Sequence, residues 1–203
     1  MTAKRSMFLL LVLSGVIISI AMGLRQSLGI FMRPMTLGIG LSAATFGFAI
    51  ALQNIVYGIA QPLVGAVADK HGARPVVIAT ATLYAAGLVL MAFAGAFPGA
   101  IEVAGFLTGI GASGTALGVL IGVVTRAAPP ERRTQTVGLV AALGSLGTMV
   151  LAPLGQWMIN GFGWHFALLA FAAIAASMAL LCLPIRDARG VEKTRPQKVG
   201  DAL

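Results

Sequence analysis

Six apolar runs constrain this chain more than any other feature in it. To within a few residues they cover 7–32, 44–68, 75–97, 99–125, 135–158 and 164–184. Each is near or above the ~20 residues a helix needs to cross the hydrocarbon of a bilayer. Lipid offers no partner to a backbone N–H or C=O, so spanning segments must be helices or closed barrels. Barrel strands alternate apolar and polar residues, whereas these runs are continuously apolar. The chain therefore reads as an all-α membrane protein with six transmembrane helices. The first run is too long for a signal-peptide core and lacks a small-residue cleavage site, so it counts as a span. Composition agrees: 10% of the 203 residues are charged, against about 25% in soluble domains.

The net charge is +8, and its distribution says why. With the N-terminus in the cytoplasm, the inner segments hold Lys4, Arg5, Lys70, Arg74, Arg126, Arg132, Arg133, Arg186, Arg189, Lys193, Arg195 and Lys198, twelve of the fourteen basic residues. The outer segments hold Arg33, and Arg25 lies within the first run. This bias is that of a plasma (inner) membrane protein with both termini cytoplasmic. It leaves no clustered basic face for nucleic acid. The chain divides into a cytoplasmic N-terminus (1–6), a six-helix bundle (7–185) and a polar segment (186–203) read as a flexible cytoplasmic tail or central linker. The single cysteine, Cys182, excludes an internal disulfide and a zinc cluster and reads as a small buried hydrophobe. No cofactor or metal is expected.

Sliding the chain against itself by 91 positions lays "GFAIALQNIVYGIAQPLVGAVADKHGARP" on "GLVAALGSLGTMVLAPLGQWMINGFGWHF". Gly47/Gly138, Ala51/Ala142, Leu52/Leu143, Pro62/Pro153, Leu63/Leu154 and Gly72/Gly163 coincide. The shift places runs 2–3 on runs 5–6. Three helices separate the copies, so they cross the membrane in opposite directions, as a 3+3 inverted repeat.

Between runs 2 and 3, "ADKHGAR" crowds Asp69, Lys70, His71 and Arg74 around Gly72, with Pro75 just beyond. Gly72 suits a left-handed helix end and Pro75 the first turn of the next helix. Sidedness accounts for Lys70 and Arg74. Asp69 is different, because a carboxylate at a helix C-terminus opposes the macrodipole and should seek a cation or another helix's N-terminus. The plain alternative is a solvated acid paired with Lys70 or Arg74.

"GAVADKHGAR" resembles the signature Gly-x-x-x-Asp-Arg/Lys-x-Gly-Arg/Lys-Arg/Lys of the major facilitator superfamily, found between that family's helices 2 and 3. Gly65, Asp69, Lys70, Gly72 and Arg74 match, while Ala73 replaces one of the closing basic residues. "PPERRTQTVG" and "GSLGTMVLAPLGQ" are also similar to family segments. A basic residue often present early in helix 4 has no counterpart, Gly105 standing in its place. The resemblance implies half of a 12-helix fold, its amino-terminal six-helix half. It implies that Asp69 holds a cytoplasmic gate closed against the carboxy-terminal half and a basic residue at the foot of helix 4, for which Arg126 is the candidate. Transport would then need a second six-helix half: a missing carboxy-terminal half, a separate chain or a second copy.

Arg25 is the one charge well inside a run. A buried arginine is costly and points to function. It either snorkels to the outer interface or faces a cavity and grips an anion with its planar fork. "GLRQSLGIFMRP" is similar to the first helix of monocarboxylate porters and oxalate–formate antiporters, which implies an organic-anion solute at Arg25. Gln53, Tyr57 and Gln61 recur every four residues, as a cavity lining or a hydrogen-bonded helix seam. Gln53 and Tyr57 join Arg25 as candidate solute-binding residues. Gly114, Gly118 and Gly122 read as close helix packing.

No nucleotide-binding loop appears, so the reading is secondary or facilitative transport of a small solute by alternating access. No span carries a mid-membrane acid, and Glu102 sits near the outer start of run 4, where the helix dipole favours it. A half-transporter acting as a scaffold is the alternative. A remote one is an intramembrane protease of the rhomboid type, since "GASG" presents Ser113 and His165 could serve as a base. The two lie at different membrane depths, and a nucleophile and base must approach to about 3 Å.

Overall fold

A computed structural model describes residues 3–115 and 117–184, and the segment 186–203 lies outside the described residues. Every element in it is helical. The first span, Phe8–Ile39, joins α1 (Ala3–Ser27) through a 3-10 turn at Leu28–Phe31 to α2 (Met32–Ile39). The second is α3 (Ala43–His71) and the third α4 (Ala73–Ala92). The fourth combines α5 (Ala100–Thr115) with α6 (Leu117–Ala127). The fifth is α7 (Arg133–Phe162), entered by a 3-10 turn at Pro130–Arg132, and the sixth is α8 (Trp164–Cys182).

Two boundaries differ most from the expectation. The first span runs to Ile39 rather than ending near residue 32. Pro34 falls in the first turn of α2, where its missing N–H costs nothing, and Gly40 (φ 68°, ψ 17°) stops the helix in a left-handed cap. The third span stops at Ala92 rather than 97, ahead of a loop with Gly95, Pro98 and Gly99 (φ 85°). Ser42 starts the second span, its Oγ accepting from the Thr45 N–H at 3.0 Å.

Short connections make consecutive spans antiparallel. One end of the bundle carries the turn at Gly72 and the Pro130–Arg132 connection, with Lys70, Arg74, Arg132 and Arg133. The other carries the 40–42, 93–99 and Gly163 connections. The first is the bundle's basic end and the second its far end.

The repeat is visible in the backbone. Gly72 (φ 95°, ψ 152°) and Gly163 (φ 85°, ψ 163°) share one conformation, 91 positions apart. The left-handed cap expected at Gly72 is therefore replaced by an extended positive-φ geometry that is essentially closed to residues with a Cβ. Each glycine N–H returns to the helix it ends, Gly72 to Ala68 O at 2.8 Å and Gly163 to Ile159 O at 3.0 Å. Ala68 and Ile159 are also 91 apart.

Packing repeats in the same way. The first span lies chiefly against the fifth, and the second against the fourth, which the inverted repeat exchanges. Lipid tails are as apolar as the helices, so association depends on close fit, and glycine supplies it. A Cβ at Gly109 would sit 2.7 Å from Gln53 O, and one at Gly144 would sit 2.9 Å from the Ile18 side chain. Ile18 and Gly109 are repeat partners, as are Gln53 and Gly144. At the tightest crossing, a Cβ at Gly147 would collide with the Ser19 carbonyl. The third span joins the fourth and sixth; Gly111 admits the Tyr84 backbone and Gly114 admits Thr80. Gly114 thus packs as expected, while Gly118 meets only Gln61, at 3.8 Å.

Spans two and five are the least covered, with 17% and 22% of their apolar windows buried against 39% or more elsewhere. Their open faces correspond through the repeat. Gly47, Ala51, Asn54, Gly58 and Pro62 line one, and Gly138, Ala142, Ser145, Met149 and Pro153 line the other.

Candidate functional site

Arg25 sits in the last turn of α1, just ahead of the 3-10 break. Because the span continues to Ile39 rather than ending near residue 32, Arg25 lies at mid-span. The interrupted helix gives the cation a local reason to be there, since unpaired carbonyls at a helix end carry partial negative charge.

Arg25 does not snorkel to a helix end. Its Nη1 donates to Asn54 Oδ1 at 2.8 Å, and its Cζ lies 4.6 Å from the centroid of the Tyr57 ring. Asn54 is oriented by its own helix, because Nδ2 donates to Ile50 O at 2.8 Å and leaves Oδ1 toward the guanidinium. Gln61 Nε2 donates to the Tyr57 hydroxyl at 3.2 Å. A polar chain therefore runs Gln61–Tyr57–Arg25–Asn54 across the first two spans. Arg25 is half-buried and spends one of five N–H donors on Asn54, so a planar edge remains for an acceptor.

The stripe Gln53, Tyr57, Gln61 divides. Tyr57 and Gln61 are half-buried and share a hydrogen bond. Gln53 is fully buried where Gly109 brings span four against its backbone, and neither side-chain amide atom has a partner among the described residues. Gln53 thus packs in the seam between spans two and four without the hydrogen bond expected of it, and the stripe's hydrogen bond joins Tyr57 and Gln61 within one helix. Periodicity did not single out Asn54 or Tyr84. Asn54 is adjacent to Gln53 and three residues from Tyr57, the one signal available for it. Tyr84, on span three, is fully buried, and its hydroxyl has no hydrogen bond among the described residues.

At the basic end, Asp69, Lys70 and His71 form the exposed last residues of α3, and Arg74 is exposed at the start of α4. Ala73, which departs from the signature, is 1% exposed. Cys182 is buried as expected and donates through Sγ to Arg74 O at 3.9 Å, tying the sixth span to the turn. Gly65 is half-buried, yet no atom lies within 4 Å of where its Cβ would be. Arg126 belongs to α6, and its side chain lies outside the described residues.

The protease constellation is not assembled. Ser113 is buried on span four with Oγ donating to Ile110 O at 2.7 Å, while His165 is exposed at the far end and stacked on Trp164. Glu102 lies in the first turn of α5, with Oε2 buried and without a hydrogen bond among the described residues.

Residues 6–201 match the family profile described as Major Facilitator Superfamily. Monocarboxylate transporter 11 of Mus musculus is 33% identical over 155 residues, covering 75% of this chain and 34% of that protein. Multidrug resistance protein MdtH of Aeromonas hydrophila is 30% identical over 156 residues, 72% of this chain and 37% of that protein. The chain thus spans about a third of the length of these relatives. A solved structure, the proton:xylose symporter XylE bound to 6-bromo-6-deoxy-D-glucose, superposes with a TM-score of 0.72 at 15% identity, over 92% of this chain and 46% of that one.

Proposed function

The chain belongs to the major facilitator superfamily, a family of transporters and not of enzymes, and from that membership we propose that it is the solute-binding half of a carrier for a small organic anion. The observation that carries the anion is the Arg25 arrangement. A guanidinium held at mid-span by Asn54 and Tyr57, with donors to spare, is costly in lipid unless an anion or water receives it. A carboxylate fits its planar edge in two parallel hydrogen bonds. The monocarboxylate transporters among the relatives support that class.

The basic end is cytoplasmic in this reading, by the excess of Lys and Arg there, and the membrane is the plasma (inner) membrane. Residues 1–6 and 186–203 lie on that side, the latter as linker or tail. Asp69, Lys70, Gly72 and Arg74, with Gly65 behind them and Arg126 at the foot of span four, form the turn that closes the cytoplasmic mouth. The open small-residue faces of spans two and five receive a second six-helix half. Whether the cycle is symport or antiport depends on groups beyond Arg25, because among the described residues no acid lies at mid-span.

The test uses the 203-residue chain in lipid nanodiscs. Acetate, lactate, benzoate and oxalate are titrated and the thermal midpoint is followed. A ligand of the folded state at a hundred times its Kd stabilises by about 2.7 kcal/mol. At least one anion should raise the midpoint in the wild type and leave Arg25→Ala unmoved. Equal shifts in both proteins would overturn the role of Arg25, and stabilisation by neutral xylose alone would overturn the anion.

A further inference from the structure

The two repeat-related turns are built on the same glycine geometry, yet their flanks carry opposite chemistry. Around Gly72 stand Lys70, His71 and Arg74. Around Gly163, the repeat replaces Ala66, His71 and Pro75 with Trp157, Phe162 and Phe166. These three side chains are 61%, 59% and 48% exposed. They also touch: the Trp157 and Phe162 centroids are 5.7 Å apart, and those of Phe162 and Phe166 are 4.9 Å apart.

We propose that this aromatic trio is the bilayer anchor of the far end, seated at the boundary between lipid headgroups and acyl chains. Three observations carry it. The trio lies at span ends: Trp157 precedes Gly163 by six residues, a rise of about 9 Å at 1.5 Å per residue, so its ring lies just inside the turn. It is continuous with an exposed apolar stripe, since Phe166 heads the line Leu169, Ala173, Ala176 and Leu180 while the opposite side of α8 is buried. The far end is also poor in charge, with Arg33 and Glu102 its charged residues among those described. Trp and Tyr, apolar rings with one polar atom, concentrate at membrane interfaces, and Lys and Arg mark the cytoplasmic side; Trp157 is the interfacial member of the trio, and Phe162 and Phe166 extend its apolar surface. One turn is thus held by charge and its repeat partner by rings, which fixes the depth of the solute-facing far mouth independently of what the carrier moves.

The chain has two tryptophans, and Trp164 is buried at 9% exposure. The difference in emission between wild type and Trp157→Phe therefore reports Trp157 alone, and Trp164→Phe isolates it directly if that variant folds. The protein is reconstituted in phosphatidylcholine vesicles brominated either near the headgroup or near the chain terminus, with aqueous iodide as the third quencher. Trp157 emission should lose most of its intensity to the headgroup-proximal bromines, less to the terminal ones, and little to iodide. Dominant quenching by iodide would place the ring in water and overturn the proposal. Dominant quenching by terminal bromines would place it deep in the bilayer, and insensitivity to all three would mean a protein surface covers it; either result overturns the proposal too.

Discussion

Arg25 and Tyr57 meet across the first two spans, the guanidinium carbon 4.6 Å from the ring centroid, and Asn54 Oδ1 holds the guanidinium edge at 2.8 Å. The pair is preorganised, so anion binding should depend on the fork and not merely on the charge. Arg25→Lys keeps the charge but loses the planar donors. It should weaken anion-induced stabilisation at least tenfold in apparent affinity, which corresponds to about 1.4 kcal/mol. Asn54→Ala removes one hydrogen-bond partner of the guanidinium and should weaken binding by a smaller factor, with a change of about 0.5–1 kcal/mol. Isothermal titration of each variant in nanodiscs ranks the three proteins, and an Arg25→Lys variant binding like wild type would refute the fork.

Gly72 and Gly163 offer a test of the repeat that needs no solute. Both hold a backbone conformation that costs other residues about 1–3 kcal/mol. No atom lies within 4 Å of a Cβ built at Gly163, so strain there is separable from collision. Gly72→Ala and Gly163→Ala should each lower stability by a similar amount in that range, read from reversible unfolding in mixed micelles. A neutral result at Gly163 would show that the turn relaxes freely.

Helix fit gives a sharper contrast. A Cβ at Gly147 would overlap the Ser19 carbonyl, whereas one at Gly58 points into open space. Gly147→Ala forces the first and fifth spans apart and should cost about 1–3 kcal/mol or more. Gly58→Ala relieves a glycine inside a helix and should be neutral or stabilising by up to about 1 kcal/mol in the isolated chain. If a second half docks on span two, Gly58→Ala should instead weaken that association, seen as reduced co-purification.

The six spans and their repeat were legible because lipid imposes length and continuity, and because glycines and prolines recur at fixed offset. Gly72/Gly163 and Pro62/Pro153 coincide at that offset in the sequence alone. The site was legible only in part. Arg25 stood out as a charge in an apolar run, but its depth did not. The 3-10 turn at Leu28–Phe31 extends the span beyond it, and nothing in "LGIF" announces a change from one helix geometry to another. The division of the Gln53, Tyr57, Gln61 stripe was equally hidden. When every face of a helix is apolar, periodicity says that a polar stripe exists and not which neighbour it meets. Gly109 settles that for Gln53, and it does so from another span. Asn54 and Tyr84 escaped for the same reason, since each matters through what packs beside it.

Asp69 remains the residue of the signature turn that neither turn geometry nor sidedness explains. Its repeat partner is Asn160, so an uncharged side chain already occupies the same place in an equivalent turn. Asp69 is exposed, and the ionic contacts of an exposed carboxylate are worth about 0–1 kcal/mol. Asp69→Asn should therefore fold and insert as wild type, with an unfolding free energy within about 1 kcal/mol of it. Co-expressed with a six-helix carboxy-terminal half from a monocarboxylate transporter, it should lower anion uptake while leaving anion affinity in nanodiscs intact. A fall in affinity would assign Asp69 to the binding site. A failure of the variant to insert would make it a structural acid of the turn, and uptake equal to wild type would remove the gate from this residue.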